Sequence, residues 1–383
     1  MNKKYISYIN ELKTKKIAII GLGVSNLPLI KILINEKCDV TLFDNKELSD
    51  MEESTSKYIK DNNIKTSLGT NYLENLVGFD VIFRSPSMLP TNKYLVEESK
   101  RGAIITTEIE QVIKLSPSKI IGITGSKGKT TTTTILYNIL VGMGYSTYLG
   151  GNIGTPLFSK LDEMTKDNIV VLELSSFQLM NMEVSPNISV ITNISPDHLD
   201  VHGSYEEYID AKKYIFKNQS KSDILVLNLD DNIVSTFGEE AKGSVRYFKN
   251  KSLDKSILKD NYVLENGYIT YNDEQIIDTS KLLLRGNHNY LNICASLNAI
   301  KDYINVSNEG LAEIVSNIKG VPHRLEFVRE INGVKWYNDS ASTTPDKSYA
   351  GLNAFDEPII LIAGGYDKNI SYDEMAKPIL EKC

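Results

Sequence analysis

Between the apolar run KIIGIT and a helix-patterned run that starts at Ile135 stand Gly125, Ser126, Lys127, Gly128, Lys129, Thr130 and Thr131. Strand, glycine-rich turn and helix start, in that order, let backbone N–H groups and the helix dipole converge on an anion. A lysine at the end of such a loop neutralises β/γ-phosphate charge, and the hydroxyl beside it can ligate Mg²⁺. Lys129 and Thr130 hold those places. The spacing departs from Gly-x4-Gly-Lys-Thr, which would need glycine where the chain has Ile123. A bare strand-to-helix turn accounts for the glycines, but the lysine and threonine in this context point to phosphate.

Other residues with usable chemistry sit at the ends of apolar runs. Glu173 closes NIVVLEL, where a carboxylate beside a phosphate loop is placed to hold Mg²⁺. Asn193–Asp200, NISPDHLD, brackets His198 with Asp197 and Asp200, a metal ligand or orienting group if it is not structural. Ser204 and Glu207 form a capping box, so a helix starts near Tyr205 and carries Lys212 and Lys213. Periodicity does not decide which lysine faces inward. Farther along, Asn289 and Asn292 on one helix could reach a ligand, Arg324 could clamp phosphate, and Asp339 could bind ribose hydroxyls or a metal-bound water. Near the N-terminus, GLGVSN lacks the third glycine of a dinucleotide fingerprint, with Asn26 in its place, whereas Asp44 ends the next strand like a ribose-binding acid.

The elements that position these groups read as α/β units. KKIAIIGLG, CDVTLFD, FDVIFRSP and GAIITTE are strands alternating with helices such as NLPLIKILIN, which implies a parallel sheet. A second unit has the strands IIGIT, NIVVLEL, NISVITN and DILVLNLD, continuous apolar runs suited to a sheet covered on both faces. GSVRYF and ENGYITYNDEQII read as short antiparallel strands, followed by the helix GNHNYLNICASLNAIKDYI. A third unit opens near GVPHRLEFV, contains a buried-looking strand EPIILIAGG, and ends in the helical YDEMAKPILEKC.

Bulk properties narrow the class. A chain of 383 residues suggests two or three domains, and its 41% hydrophobic and 24% charged residues are globular. No apolar run nears the roughly 20 residues that span a bilayer. A net charge of −7 gives no basic footprint, which argues against nucleic acid. Three scattered cysteines fit a reducing cytoplasm rather than a disulfide framework or zinc site.

In sequence order, GITGSKGKT, GGNIGTP, ELSSFQL, NISPDHLD, Ala211-Lys212, GNHNYLN, GVPHR, WYNDSASTTP and IAGGYDK resemble the Mur ligase family, the ATP-dependent amino-acid ligases of cell-wall precursor synthesis. GLGVS, RSPS and ELSSFQL most resemble its D-glutamate-adding members, and the offset loop spacing is the family's own. The resemblance implies three domains: a Rossmann-like N-terminal domain (1–107) for the UDP part of the substrate, a central P-loop ATPase-type domain (108–320), and a partial Rossmann-like C-terminal domain (321–383) for the amino acid. It implies a cytoplasmic, monomeric enzyme that uses ATP, UDP-N-acetylmuramoyl-L-alanine and D-glutamate.

By position, it assigns the UDP part to Gly23, Val24, Ser25, Asp44, Ser85 and Pro86. The muramoyl-peptide path falls to Asn152, Ser175 and Gln178, and the incoming glutamate to Lys368. ATP falls to Gly125–Thr131, Asn289, Asn292, Arg324 and Asp339. Two Mg²⁺ sites are implied, with Thr130, Glu173, His198 and Lys212 as ligands and Lys212 carbamylated. Lys129, Lys212, His198 and Arg324 are the implied catalytic residues. Two positions depart from the family pattern: Ser87 stands for a glycine and Ala341 for a lysine. The family's C-terminal domain also continues farther, so the resemblance implies a shortened third domain. Alternatives are a non-catalytic form that binds nucleotides without turnover, or another amino-acid ligase of the superfamily.

Overall fold

The computed structural model describes residues 2–23, 26–249, 258–366 and 370–383. Strands β1 (Lys16–Ile20), β2 (Asp39–Asp44), β3 (Lys65–Leu68), β4 (Val81–Arg84) and β5 (Ile104–Thr106) form a parallel sheet in the order β3-β2-β1-β4-β5. The chain reverses its direction of travel across the sheet beside β1, so ligand-binding turns gather at the carboxyl ends of β1 and β4. Asn26 explains the missing third glycine. Its buried carboxamide donates to the carbonyls of Ile20 and Gly21 and ties the turn to the strand it leaves.

The second sheet comprises β6 (Lys119–Thr124), β7 (Thr147–Gly151), β8 (Ile169–Glu173), β9 (Ile188–Ile191), β10 (Ile224–Asn228) and β11 (Ser244–Phe248), ordered β11-β10-β9-β6-β8-β7 and all parallel. β6 is central. β11 contains the GSVRYF run, which therefore joins the parallel sheet and corrects the antiparallel expectation. It lies on an edge with one face part-exposed, and that half-burial mimics the alternation of an antiparallel strand. The antiparallel expectation does hold for β12 (Tyr262–Glu265), β13 (Tyr268–Tyr271) and β14 (Glu274–Asp278).

One core cluster crosses residue 107. Ile17 and Leu42 of the first sheet, Ile109 and Val112 of the connecting helix Glu108–Leu115, and Val170 and Leu225 of the second sheet belong to it. The helix Lys3–Leu12 packs into the same core. Asn2 caps that helix by accepting from Lys4 and Tyr5, while its carboxamide nitrogen donates to the Leu115 and Leu161 carbonyls at 3.0 Å each. The opposite face of the second sheet is covered by the helices Lys129–Gly142 and Asn287–Ile300.

The last unit holds the antiparallel pair β15 (Glu326–Ile331) and β16 (Val334–Asn338) and the helices Pro345–Leu352 and Asp373–Lys382. EPIILIAGG forms no strand, which corrects that expectation. Ile360 and Ile362 are 86% and 82% exposed, and the segment pairs with neither β15 nor β16. An apolar run becomes a buried strand only where neighbouring strands accept its backbone groups.

Candidate active site

β6 ends at Thr124, and the chain turns through Gly125–Gly128 into the helix Lys129–Gly142. Gly125 (φ +149°) and Gly128 (φ +84°) take backbone conformations that side chains disfavour. A Cβ on Gly125 would also lie 1.9 Å from the Thr192 hydroxyl, and one on Gly128 would lie 2.9 Å from Asn292 Oδ1. The segment after β9 clasps the loop. Ser126 N donates to the Asn193 carbonyl, Lys127 N to Asn193 Oδ1, and Thr192 Oγ1 to the Lys127 carbonyl. Ser126 Oγ donates to the Ser195 carbonyl and pairs with the Tyr208 hydroxyl at 2.8 Å. These bonds fix the loop's shape and engage the Ser126 and Lys127 N–H groups, which leaves the start of the helix at Gly128–Thr130 to meet an anion.

Lys129 Nζ folds back onto the Gly125 and Ser126 carbonyls at 2.8 and 3.0 Å. Burial lowers its pKa, Glu173 and Asp197 oppose that shift, and the charge of Arg324 adds to it. These carbonyl contacts are ones an arriving phosphate can replace. Thr130 is half-buried in the first helical turn, and Thr131 is buried behind it.

Lys212 is the inward lysine of its helix, with 1% exposure, whereas Lys213 pairs with Glu240 outside. Lys212 Nζ donates to the Gly125 carbonyl at 2.9 Å and lies 4.6 Å from the centre of the Tyr208 ring. Burial, reinforced by Lys129, pulls its pKa down to about 7.

Glu173 is buried beside Ile123 at the end of β8. Its Oε1 accepts from Asn152 Nδ2 at 2.8 Å, and the Asn152 backbone N–H donates to the Glu173 carbonyl. Its Oε2 has no hydrogen-bond partner among the described residues. A buried carboxylate oxygen left this way favours a cation. Thr130 and Glu173 are hard oxygen donors of the kind Mg²⁺ takes alongside water and phosphate. A second Mg²⁺ has a weaker donor set. No group of three or more His, Cys, Asp and Glu gathers among the described residues. His198 is half-exposed in a left-handed turn, 3.7 Å from Asp197. Lys212 as an amine donates hydrogen bonds and is no ligand, so such a site requires its modification.

The remaining candidates divide. Asn292 is buried against Gly128, and Asn289 donates to the Arg285 carbonyl. Arg324 is exposed, and Asp339 accepts from Leu325 N within the last unit. Ser175 and Gln178 form a reciprocal capping box on the helix Ser176–Leu179. In the first sheet, Asp44 accepts from Leu22 N and Lys46 N, Gly23 is exposed, and Ser85 Oγ pairs with Ser87 Oγ beside half-buried Pro86. Val24, Ser25 and Lys368 lie outside the described residues.

Sequence reasoning missed Tyr208 as a loop contact, and it missed His202. That histidine is buried, pairs with Ser176 Oγ at 2.9 Å and stacks on Phe177. Its rank as one of four histidines, close behind His198, was the available signal.

A family model described as the Mur ligase middle domain matches residues 123–300, the span that holds the loop, Glu173, His198 and Lys212. The UDP-N-acetylmuramoylalanine–D-glutamate ligase of Clostridium kluyveri is 47% identical over 98% of this chain and 81% of its own length. The chain belongs to the Mur ligase family. The enzyme of the same name from Clostridium botulinum is 46% identical with the same coverage. The fold agrees: the solved UDP-N-acetylmuramate-alanine ligase of Thermotoga maritima aligns at a TM-score of 0.54 and 22% identity, over 89% of this chain and 77% of that one. In this Mur ligase, the site residues brought together are those of the phosphate loop, Glu173, Asn152, Lys212 and Asn292. No helix among the described residues is long and apolar enough to cross a membrane.

Proposed function

We propose that this Mur ligase joins D-glutamate to UDP-N-acetylmuramoyl-L-alanine at the expense of ATP, in peptidoglycan precursor synthesis in the cytoplasm. The observation that carries the reading is the convergence of Lys129 and Lys212 on the Gly125 carbonyl at the phosphate loop. Lys129 brings positive charge to an anion cradle and Lys212 places a reactive amine beside it, which together suit a reaction whose transition state spreads negative charge over a transferring phosphoryl group.

The alanyl carboxylate attacks the γ-phosphorus of ATP, giving an acyl phosphate and ADP. The glutamate amine then adds to the acyl carbon, loses a proton, and expels inorganic phosphate as the amide forms. Backbone N–H groups of Gly128–Thr130, at the start of the helix, would hold the nucleotide phosphates while those of Ser126 and Lys127 stay on Asn193, and Lys129 exchanges its loop carbonyls for phosphate oxygens. Arg324, whose charge Lys129 already senses, supplies further positive potential. Thr130 and Glu173 would hold Mg²⁺, which neutralises phosphate charge when bound. A carbamate on Lys212 would form from its neutral amine and CO₂ with release of one proton. It would turn a donor into an anionic oxygen ligand and, with His198, complete a second metal position. Gly23, Val24, Ser25, Asp44, Ser85 and Pro86 would take the UDP part, with Asn152, Ser175 and Gln178 along the muramoyl-peptide path. Asn289, Asn292 and Asp339 would contact the rest of ATP, and Lys368 the incoming glutamate. The active species is a monomer.

Phosphate release that requires ATP, UDP-N-acetylmuramoyl-L-alanine and D-glutamate together is the test. Binding of both nucleotides without such release would instead establish a non-catalytic nucleotide-binding protein.

A further inference from the structure

Arg84 ends β4, a strand that is otherwise entirely apolar, and it is only 4% exposed. A buried guanidinium is costly unless its N–H groups are paired. Here the partners lie on both sides of the seam between the two parallel sheets. Nη1 donates at 3.2 Å to the Met88 carbonyl, within the Ser85–Met88 turn that follows β4. Nη2 donates at 2.7 Å to the Met180 carbonyl, and Nη1 reaches the Phe177 carbonyl at 3.4 Å. Burial pulls the pKa down to about 10 with Glu110 opposing, so the group is charged at neutral pH.

The segment that Arg84 grips is part of the active site's wall. Helix Ser176–Leu179 starts three residues after Glu173. The Phe177 ring stacks on His202 at 5.2 Å and meets His198 edge-on at 5.3 Å. Glu110 grips the same segment from the connecting helix by accepting from Glu183 N at 2.7 Å. One side chain therefore spans from the Ser85-Pro86 turn to the segment that packs against His198 and follows Glu173.

We propose that Arg84 is a positioning residue that transmits occupancy of the Ser85–Met88 turn by the uridine diphosphate part of the substrate to the phosphoryl-transfer site. This rests on the function proposed above for the same site. Binding energy from a remote, unreacting part of a substrate raises the rate only when a rigid connection carries it to the reacting atoms. Arg84 provides that connection through backbone carbonyls, which hold their places better than side chains.

Two measurements on the full chain test it. In the first, phosphate release is followed with UDP-N-acetylmuramoyl-L-alanine and with N-acetylmuramoyl-L-alanine lacking the nucleotide. Arg84→Met should lower kcat with the nucleotide-bearing acceptor by about 10- to 100-fold. Its KM for ATP and its rate with the nucleotide-free acceptor should stay within about twofold, and Arg84→Lys should recover part of the loss. Equal losses with both acceptors, or a change in KM alone, would overturn the proposal. The second measurement is independent of turnover: amide hydrogen exchange at residues 176–183 with UDP as the probe. UDP should slow exchange there in the wild type and in Arg84→Lys, but not in Arg84→Met. A segment indifferent to UDP in the wild type, or equally protected in Arg84→Met, overturns the proposal. Absence of phosphate release with intact UDP-dependent protection would overturn the ligase reading alone.

Discussion

Lys129 and Lys212 donate to one acceptor, the Gly125 carbonyl oxygen, at 2.8 and 2.9 Å. Two ammonium groups sharing so small a space repel, and the more buried one yields: Lys212 is held at about 7 by burial and then by Lys129. Near neutral pH the free amine is therefore far more accessible to Lys212 than to an ordinary exposed lysine.

That free amine makes Lys212 reactive toward CO₂. Protein equilibrated with ¹³C-bicarbonate at pH 8 should show a carbamate carbonyl resonance that Lys212→Ala lacks. Ligation should fall at least about 100-fold in the variant, and added bicarbonate should not restore it. Full activity in Lys212→Ala would sink the assignment.

The Tyr208 hydroxyl makes one contact with the loop, to Ser126 Oγ, which also donates to the Ser195 carbonyl and accepts from Ser195 N. Tyr208→Phe should therefore cost only about 0.5–1.5 kcal/mol of stability and raise KM for ATP less than tenfold. Thermal melts and initial rates read both. A loss as large as that of Lys212→Ala would show that the hydroxyl takes part in the chemistry.

Gly125→Ala meets a double obstacle, the φ of +149° and the Thr192 hydroxyl 1.9 Å from the new Cβ. Thr192 cannot easily turn away, because Oγ1 donates to the Lys127 carbonyl. The expected cost is about 1–3 kcal/mol, with loss of the stabilisation that a non-hydrolysable ATP analogue gives the wild type. An unchanged analogue-induced melting shift would contradict the loop's role.

Glu108 sits in the seam between the sheets and accepts from Phe158 N at 2.8 Å. Burial, only partly offset by backbone donors, holds its carboxyl up at about 7 against an ordinary 4.5. The folded chain keeps this proton where the unfolded chain has released it. Its contribution is therefore most favourable below about pH 4.5 and is lost as pH rises toward 7. Glu108→Gln should remove that slope and, at pH 8, be more stable than the wild type by on the order of 1–3 kcal/mol. Urea midpoints at pH 5 and pH 8 decide it, and parallel curves for the two proteins would refute the expectation.

How much was legible in the sequence depended on how many neighbours an element has. β6, β8 and β9 are covered on both faces and flanked on both edges, so they read as unbroken apolar runs. The edge strands β3, KTSL, and β7, TYLGG, carry no such signal and were not foreseen. The phosphate loop was readable because its chemistry is contiguous. Choosing Lys212 over Lys213 needed the packing of a whole helix. Arg84 left one trace, a charge at the end of an apolar strand, because its partners are main-chain carbonyls far along the chain, which no residue type advertises.

Asn2 carries a consequence for synthesis. Its carboxamide settles only when the Leu161 carbonyl, 159 residues later, is available. At ribosomal speeds of about 5–20 residues per second, the helix it caps waits roughly 10–30 s for its dock. Through that interval Lys3–Leu12 has its first-sheet neighbours but lacks this anchor, so an element made early is locked in place only once the second sheet is under way.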